Sequence, residues 1–239
     1  MLNRLTLTAP AVLGLLVLAG TAPALPPMGA FSIDLGGSYS AVSTKDIEDF
    51  YAPLTLDNHA GSAFGFQGGV AYNVSPSFQV GAGVDLISKQ YKVTWSNGDV
   101  DTWKMPALGI LGRLRWLMPM NSPDLLFAIS LAAGKYTLSG SSLTYTDPTF
   151  SYDFAGSTFG GVLAIDSEYR LASSVAVDVS AGYRLATIKT ITFTEHPTGA
   201  SDTVLLRDGT KASFDYSGLV IGLSLRFYFG GDGSSVTSQ

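Results

Sequence analysis

From residue 30 onward apolar and polar positions alternate with a period of two, the pattern of β-strands whose two faces meet different surroundings. Eight such segments can be read. In the first, Phe31, Ile33, Leu35 and Tyr39 alternate with Ser32, Asp34, Gly36 and Ser38. The second sets Phe64, Phe66, Val70 and Tyr72 against Gly65, Gln67, Gly69 and Asn73; the third sets Phe78, Val80, Val84 and Leu86 against Gln79, Gly81, Gly83 and Asp85. In the fourth, Leu108, Ile110, Leu114 and Trp116 oppose Gly109, Arg113 and Arg115. The fifth is less regular, with Leu125, Phe127, Ile129 and Leu131 against Ala128, Ser130 and Gly134. Phe159, Leu163, Ile165 and Tyr169 oppose Gly160, Asp166, Glu168 and Arg170 in the sixth; Val175, Val177, Val179 and Tyr183 oppose Asp178, Ser180, Gly182 and Arg184 in the seventh. The eighth has Leu219, Ile221, Leu223, Leu225, Phe227 and Phe229 opposite Gly222, Ser224, Arg226 and Tyr228. Each segment is long enough to cross a bilayer as a tilted strand, which takes about 9 to 11 residues.

The connections alternate in length, short at Ser75-Pro76, Pro119 to Pro123 and Ser173-Ser174, and long around 42–62, 88–104, 137–156 and 189–214. Short periplasmic turns and longer extracellular loops are the habit of outer-membrane barrels. The expected fold is therefore all-β: a closed, eight-stranded antiparallel transmembrane β-barrel with both mature ends in the periplasm. Asn97-Gly98 is a type I′ turn signal and Arg207-Asp208-Gly209-Thr210 a second turn signal, so the second and fourth long loops should continue as hairpins above the membrane. Ser43-Thr44-Lys45-Asp46, followed by Ile47, Phe50 and Tyr51, could cap a short helix in the first. Gly81-Ala82-Gly83 lacks the third glycine of a dinucleotide fingerprint and lies mid-strand, where it reads as close packing inside the lumen.

Alternation alone does not say which face meets lipid, since a soluble barrel alternates too. The polar parity decides. It carries Gly, Ala and Ser with a balanced charge set, the acids Asp34, Asp85, Asp166, Glu168 and Asp178 and the bases Arg113, Arg115, Arg170, Arg184 and Arg226. Buried charges must be paired, and arginine pairs bidentately, so this set suits a narrow lumen. Asp34 is expected to meet Arg226 where the first and eighth strands close, and Asp85 to lie near Arg113. The apolar parity ends in aromatics: Phe31, Tyr72, Phe78, Trp116, Phe127, Tyr169 and Phe227 toward the periplasm, and Tyr39, Phe64, Phe159 and Tyr183 toward the outside. Such girdles mark lipid–water interfaces.

Composition sharpens this picture. Of 239 residues, 46% are apolar and only 14% charged, against about 25% charged in soluble domains. A net charge of −5 offers no footprint for nucleic acid, and zero cysteines leave no disulfide framework or thiolate metal site. Arg4, the apolar run Ala11 to Ala19 and Ala22-Pro23-Ala24 read as a signal peptide over residues 1–24, cleaved after Ala24. A linker at 25–29, a barrel at 30–229 and a short periplasmic tail at 230–239 would follow. The two histidines, His59 and His196, fall in outer loops without the spacing a metal needs, so neither metal nor cofactor is expected. His196 with Glu195, Asp202 or Ser201 forms no known catalytic spacing, and a nucleophile needs a base within hydrogen-bond reach.

On these residues the chain resembles the small eight-stranded outer-membrane barrels typified by the transmembrane domain of outer-membrane protein A and by outer-membrane protein X, over residues 30–229. The most specific part is the final strand, where Ile221, Leu223, Leu225, Phe227 and Phe229 look like the signal read by the barrel assembly machinery. The Gly182-Tyr183-Arg184 stretch is of the same style. The resemblance implies a monomer in Gram-negative outer-membrane lipid. Lys45, Lys89, Lys92, Lys104, Lys135, Lys189 and Lys211 lie in the predicted outer half, either as partners of lipopolysaccharide phosphates or as ordinary solvated loop ends. Since eight strands enclose room only for side chains, the expected role is structural, surface-binding or adhesive rather than enzymatic. A narrow or lateral channel for small hydrophobic molecules comes second, and a lipid A-modifying enzyme third.

Overall fold

A computed structural model of the chain describes residues 26, 29–42, 62–95, 98–120, 122, 124–145, 151–206 and 208–230. The expected signal peptide, the helix-capping motif of the first loop, Lys45, His59, Asn97, Arg207 and the tail beyond 230 lie outside these residues. The strands formed are β1 (Phe31–Ala41), β2 (Ser62–Ser75), β3 (Phe78–Ser88), β4 (Gln90–Thr94), β5 (Val100–Lys104), β6 (Ala107–Pro119), β7 (Leu125–Leu138) and β8 (Ser141–Thr144). They continue with β9 (Ser151–Ala155), β10 (Ser157–Ala172), β11 (Val175–Leu185), β12 (Thr187–Ile188), β13 (Thr192–His196), β14 (Ser201–Thr203), β15 (Phe214–Asp215) and β16 (Gly218–Phe229).

Eight of these close a barrel in the order β1-β16-β11-β10-β7-β6-β3-β2, every pair antiparallel. They are the eight segments read from the alternation, the irregular fifth included. The seam pairs Phe31 with Phe229 and Asp34 with Arg226. A Cβ at Gly36 would overlap the Leu223 carbonyl and the Ser224 Cβ, so the seam closes at this separation only around a glycine. Large apolar residues such as Phe66, Ile110, Leu163 and Leu223 are exposed on the outer face, while the inner face holds the small and charged ones. A surface of this kind is stable against hydrocarbon and unstable against water.

Past the rim with the long connections, the wall continues as a second sheet in the order β14-β13-β9-β8-β5-β4, with β12 paired to β15. The ladder breaks around Lys89, Met105-Pro106, Ser139-Gly140 and Gly156, and is stitched across the breaks. Met105 N donates to the Lys89 carbonyl at 2.8 Å, Ser139 N to that of Pro106 at 3.0 Å, and Leu138 N to that of Gly156 at 2.9 Å. The hairpin expected at Gly98 is β4–β5, with Gly98 at φ +90°. Gly209, at φ +81°, turns the chain between the bridged Leu205 and Lys211. Segment 137–156, expected to be a loop, instead carries the hairpin β8–β9.

Inside this extension the polarity is reversed. Tyr91, Val93, Trp103, Leu143 and Phe154 point inward and are buried, whereas Lys92, Lys104 and Asp153 are exposed. Water has replaced lipid outside, so the apolar face turns in. These residues join Ile87, Met105, Ile188, Ile191, Phe214 and Tyr216 in one apolar cluster capping the lumen.

Candidate functional site: the filled lumen and its aromatic cap

Alternation places one inner side chain every second residue, and those of opposite walls meet in mid-lumen. Near the rim with the short turns, Gln79 donates to Asn73, the Tyr228 hydroxyl donates to Glu168, and Leu117, Leu126 and Ala128 form a small apolar cluster. Above them Arg115 bridges Asp166 at 2.8 Å, and Glu168 and Asp178 each at 3.5 Å, and donates to Gln79 at 3.1 Å. Arg226 reaches across from β16 to Glu168 at 2.9 Å and Asp178 at 3.1 Å. Arg113 donates from one nitrogen to both oxygens of Asp34, at 3.0 and 2.8 Å. A second layer lies higher, where Arg184 engages both oxygens of Asp85, donates to Ser40 at 3.0 Å, and shares Asp85 with the Tyr136 hydroxyl.

Between the two layers is a cavity of about 60 Å³, lined by Gln67, Arg113, Ser130, Asp166, Ser180 and Arg184 among others. Set against the ~30 Å³ that a water takes in the liquid, this is space for a few waters. Gly83 helps to make the layer possible, because a Cβ there would stand 2.8 Å from the Arg113 Cδ.

The inner charges expected from the sequence are thus brought together apart from Arg170, with Asp34 shared between two arginines and Asp85 taking another partner than the one expected. Asp34 and Arg226 are direct Cα partners, yet their closest approach is 3.9 Å and Arg113 is the nearer partner of Asp34. Asp85 does not pair with Arg113. Asp85 stands opposite Gly109 and Arg113 opposite Gly81, four residues apart on the ladder, or about 13 Å. Arg170 pairs with no acid among the described residues; it sits at the short-turn end of β10, half-buried, 5.3 Å from the Tyr228 ring centroid, where water reaches it. Five buried acids therefore face four arginines.

On the outer face, Phe31, Tyr72, Phe78 and Trp116 are exposed near one rim, and Phe127, Tyr169 and Phe227 are half-buried there. Tyr39, Phe64, Phe159 and Tyr183 are exposed toward the other. Phe31 packs on Tyr72 at 4.9 Å between ring centroids and Tyr39 on Phe64 at 5.3 Å. Ile221, Leu223, Leu225 and Phe229 are exposed on the outside of β16, with Phe227 half-buried between them.

The cap was the part sequence reasoning missed. It carries a second, more open cavity of about 220 Å³ lined by Trp103, Leu143, Tyr145, Tyr152, Phe154, Phe193, Val204 and Leu205. Trp103 stacks on Phe154 at 5.2 Å, while Tyr152 meets Tyr145 and Phe193 edge-on at 6.0 and 5.6 Å. Burial, then the neighbouring Tyr152 and Asp101, pushes the Tyr145 hydroxyl up to about 12; burial and Glu195 raise that of Tyr152. His196 bonds Asp153 across β9–β13 at 2.9 Å rather than Glu195, Asp202 or Ser201, and both side chains are exposed. No cluster of three metal-ligating side chains occurs among the described residues.

The family model for the outer membrane protein beta-barrel domain matches residues 12–227. Among solved structures, a major outer membrane protein from Thermus thermophilus is similar with a TM-score of 0.53 at 13% identity, covering 84% of this chain and 99% of that one. The outer membrane protein OprG from Pseudomonas aeruginosa aligns with a TM-score of 0.48 at 12% identity, over 86% of this chain and 98% of that one. AlkL, determined in lipid bilayers, aligns at 0.45 and 14% identity, over 91% and 97%. No curated protein matches the sequence. At such identities the likeness speaks for the fold, and the family match over nearly the whole barrel agrees with it: the chain belongs to the outer membrane protein beta-barrel family and is an integral protein of the Gram-negative outer membrane.

Proposed function

We propose that this protein is a closed, non-enzymatic barrel that anchors a rigid binding surface outside the cell, rather than a general porin. The observation that carries the reading is the lumen: two layers of arginine–carboxylate pairs leave only about 60 Å³ between them, and an apolar cluster caps the upper layer. The long-connection rim faces outward in this reading, as the family's loop habit suggests, and residues 1–24 are removed on export. Lys92 and Lys104 on the outer face of the extension could meet lipopolysaccharide phosphates, but Lys89 is 5% exposed and drops out of that set. A lateral path for small hydrophobic molecules is the second reading, favoured by the apolar cavity of the cap.

Liposome swelling and single-channel recording test the closed lumen. No sugar permeation and no steady conductance are expected from the reconstituted barrel; a stable open pore refutes it. A tag at Gly199 should be reached by antibody on intact cells, and one at the C-terminus should not.

A further inference from the structure

The cavity in the cap has three properties that together select a ligand class. Its walls are mainly aromatic. Tyr152 stands at steep angles to both neighbours, 81° to Tyr145 and 71° to Phe193, so the rings turn different ways around the space instead of stacking into one slab. No lysine, arginine or histidine lines it among the described residues. An acid touches one of its walls: Glu195 accepts from the Tyr152 hydroxyl at 3.4 Å and from Thr198 at 2.8 Å, both neutral donors, and among the described residues no ion pair compensates its charge. Glu195 shares the inward face of β13 with Phe193, and Tyr152 is its Cα partner on β9.

Ring faces carry negative charge density, and a cation over them is attracted most strongly when water is excluded. At about 220 Å³ the space is several times the ~30 Å³ of a water molecule. An ammonium with several bonded hydrogens would lose its donors' partners on an apolar wall, whereas an alkylated ammonium has none to lose. We propose that this cavity binds a small organic cation of the quaternary ammonium class, held on the faces of Tyr145, Tyr152 and Phe193 and balanced by Glu195. The proposal rests on the reading of the extension as a binding surface and names its ligand class.

The test uses the full-length folded barrel in lipid nanodiscs and two probes of equal shape, choline and its uncharged isostere 3,3-dimethylbutan-1-ol, titrated calorimetrically and by tryptophan fluorescence. Choline should bind about tenfold or more tightly than the isostere, the difference a partly desolvated cation–π site supplies. Tyr152→Leu, at a half-buried position, should weaken choline about tenfold and leave the isostere within about twofold. Glu195→Gln should act in the same sense by a smaller factor. Heat-modifiable gel mobility confirms that each variant is folded. Equal affinity for both probes identifies an unselective apolar pocket and overturns the proposal, as does absence of choline binding or indifference to both substitutions. Conductance of the same sample is read separately: an open pore sinks the closed-lumen reading, while the titration still decides the ligand.

Discussion

Removing Arg226 strikes the lumen where it is most densely charged. The guanidinium is 1% exposed and lies 2.9 Å from Glu168, 3.1 Å from Asp178 and 3.9 Å from Asp34. In Arg226→Leu, Glu168 and Asp178 keep only Arg115 as a cationic partner, at 3.5 Å from each, and Glu168 keeps the Tyr228 hydroxyl. Deleting one member of a buried pair typically costs about 3–5 kcal/mol, because the charge left behind is uncompensated. Here two carboxylates lose their closest cation in a lumen that already holds one more buried acid than arginine, so the upper end, about 5 kcal/mol, is expected. Adding Glu168→Gln to Arg226→Leu removes one of the stranded charges, and the pair should be non-additive by about 1–3 kcal/mol. Asp34 supplies a control within the same lumen. Its coupling to Arg113 should fall in that range, and its coupling to Arg226 should stay below about 1 kcal/mol despite their adjacency on the seam. Urea unfolding in lipid vesicles, scored by the mobility difference between unboiled and boiled protein, measures all three cycles. If the Arg226 and Glu168 effects simply add, or if Asp34 couples more strongly to Arg226 than to Arg113, this network is wrong.

Two further outcomes are expected. Gly36→Val places branched carbon against the Leu223 carbonyl and Ser224 at the closing seam, so the folded fraction after dilution from urea should fall sharply, whereas the same change at Gly98, whose added Cβ meets nothing within 4 Å, should cost only its strained φ and leave the barrel folded. The Tyr145 hydroxyl ionises near 12 in the folded state and near pH 10 in the unfolded one, so its contribution is whole below about pH 10 and lost as pH rises toward 12; near-ultraviolet dichroism should show the cap loosening over that window, and the idea fails if Tyr145→Phe leaves the alkaline transition unchanged.

The barrel was legible because lipid acts on every strand alike. Outward positions must be predominantly apolar, so the parity of Phe31, Ile33 and Leu35 repeats through to Leu223, Leu225 and Phe229, and the two rims follow from the lengths of the connections. Even the seam could be counted, since Phe31 and Phe229 end their strands at the same level and carry Asp34 and Arg226 into register. What could not be counted was which charges touch. An eight-stranded lumen is only as wide as its side chains, so a long guanidinium also finds partners beyond the next strand. Arg226 on β16 reaches Glu168 on β10, and Arg184 on β11 reaches Asp85 on β3. Pairing by strand adjacency, the reasoning that joined Asp85 to Arg113, has no access to such contacts.

The extension is a different case, because its signal was present and was covered by the turn motifs around it. Along β3 and β4 the apolar position faces out at Leu86 and in at Tyr91, an odd number of residues later, with no change in the chain's own alternation. Along β5 and β6 the outward position is Lys104 and then Leu108. A shift of this kind in one segment could be a local accident of composition. Two neighbouring strands shifting at one height is a stronger observation: Leu86 and Leu108 are Cα partners, both on the outer face, and the next outward pair, Gln90 and Lys104, is polar on both strands. A boundary shared by independent stretches of sequence is set by a plane outside the chain. That plane is where hydrocarbon gives way to water, and it puts the aromatic cavity, with Tyr152 and Glu195, wholly on the water side.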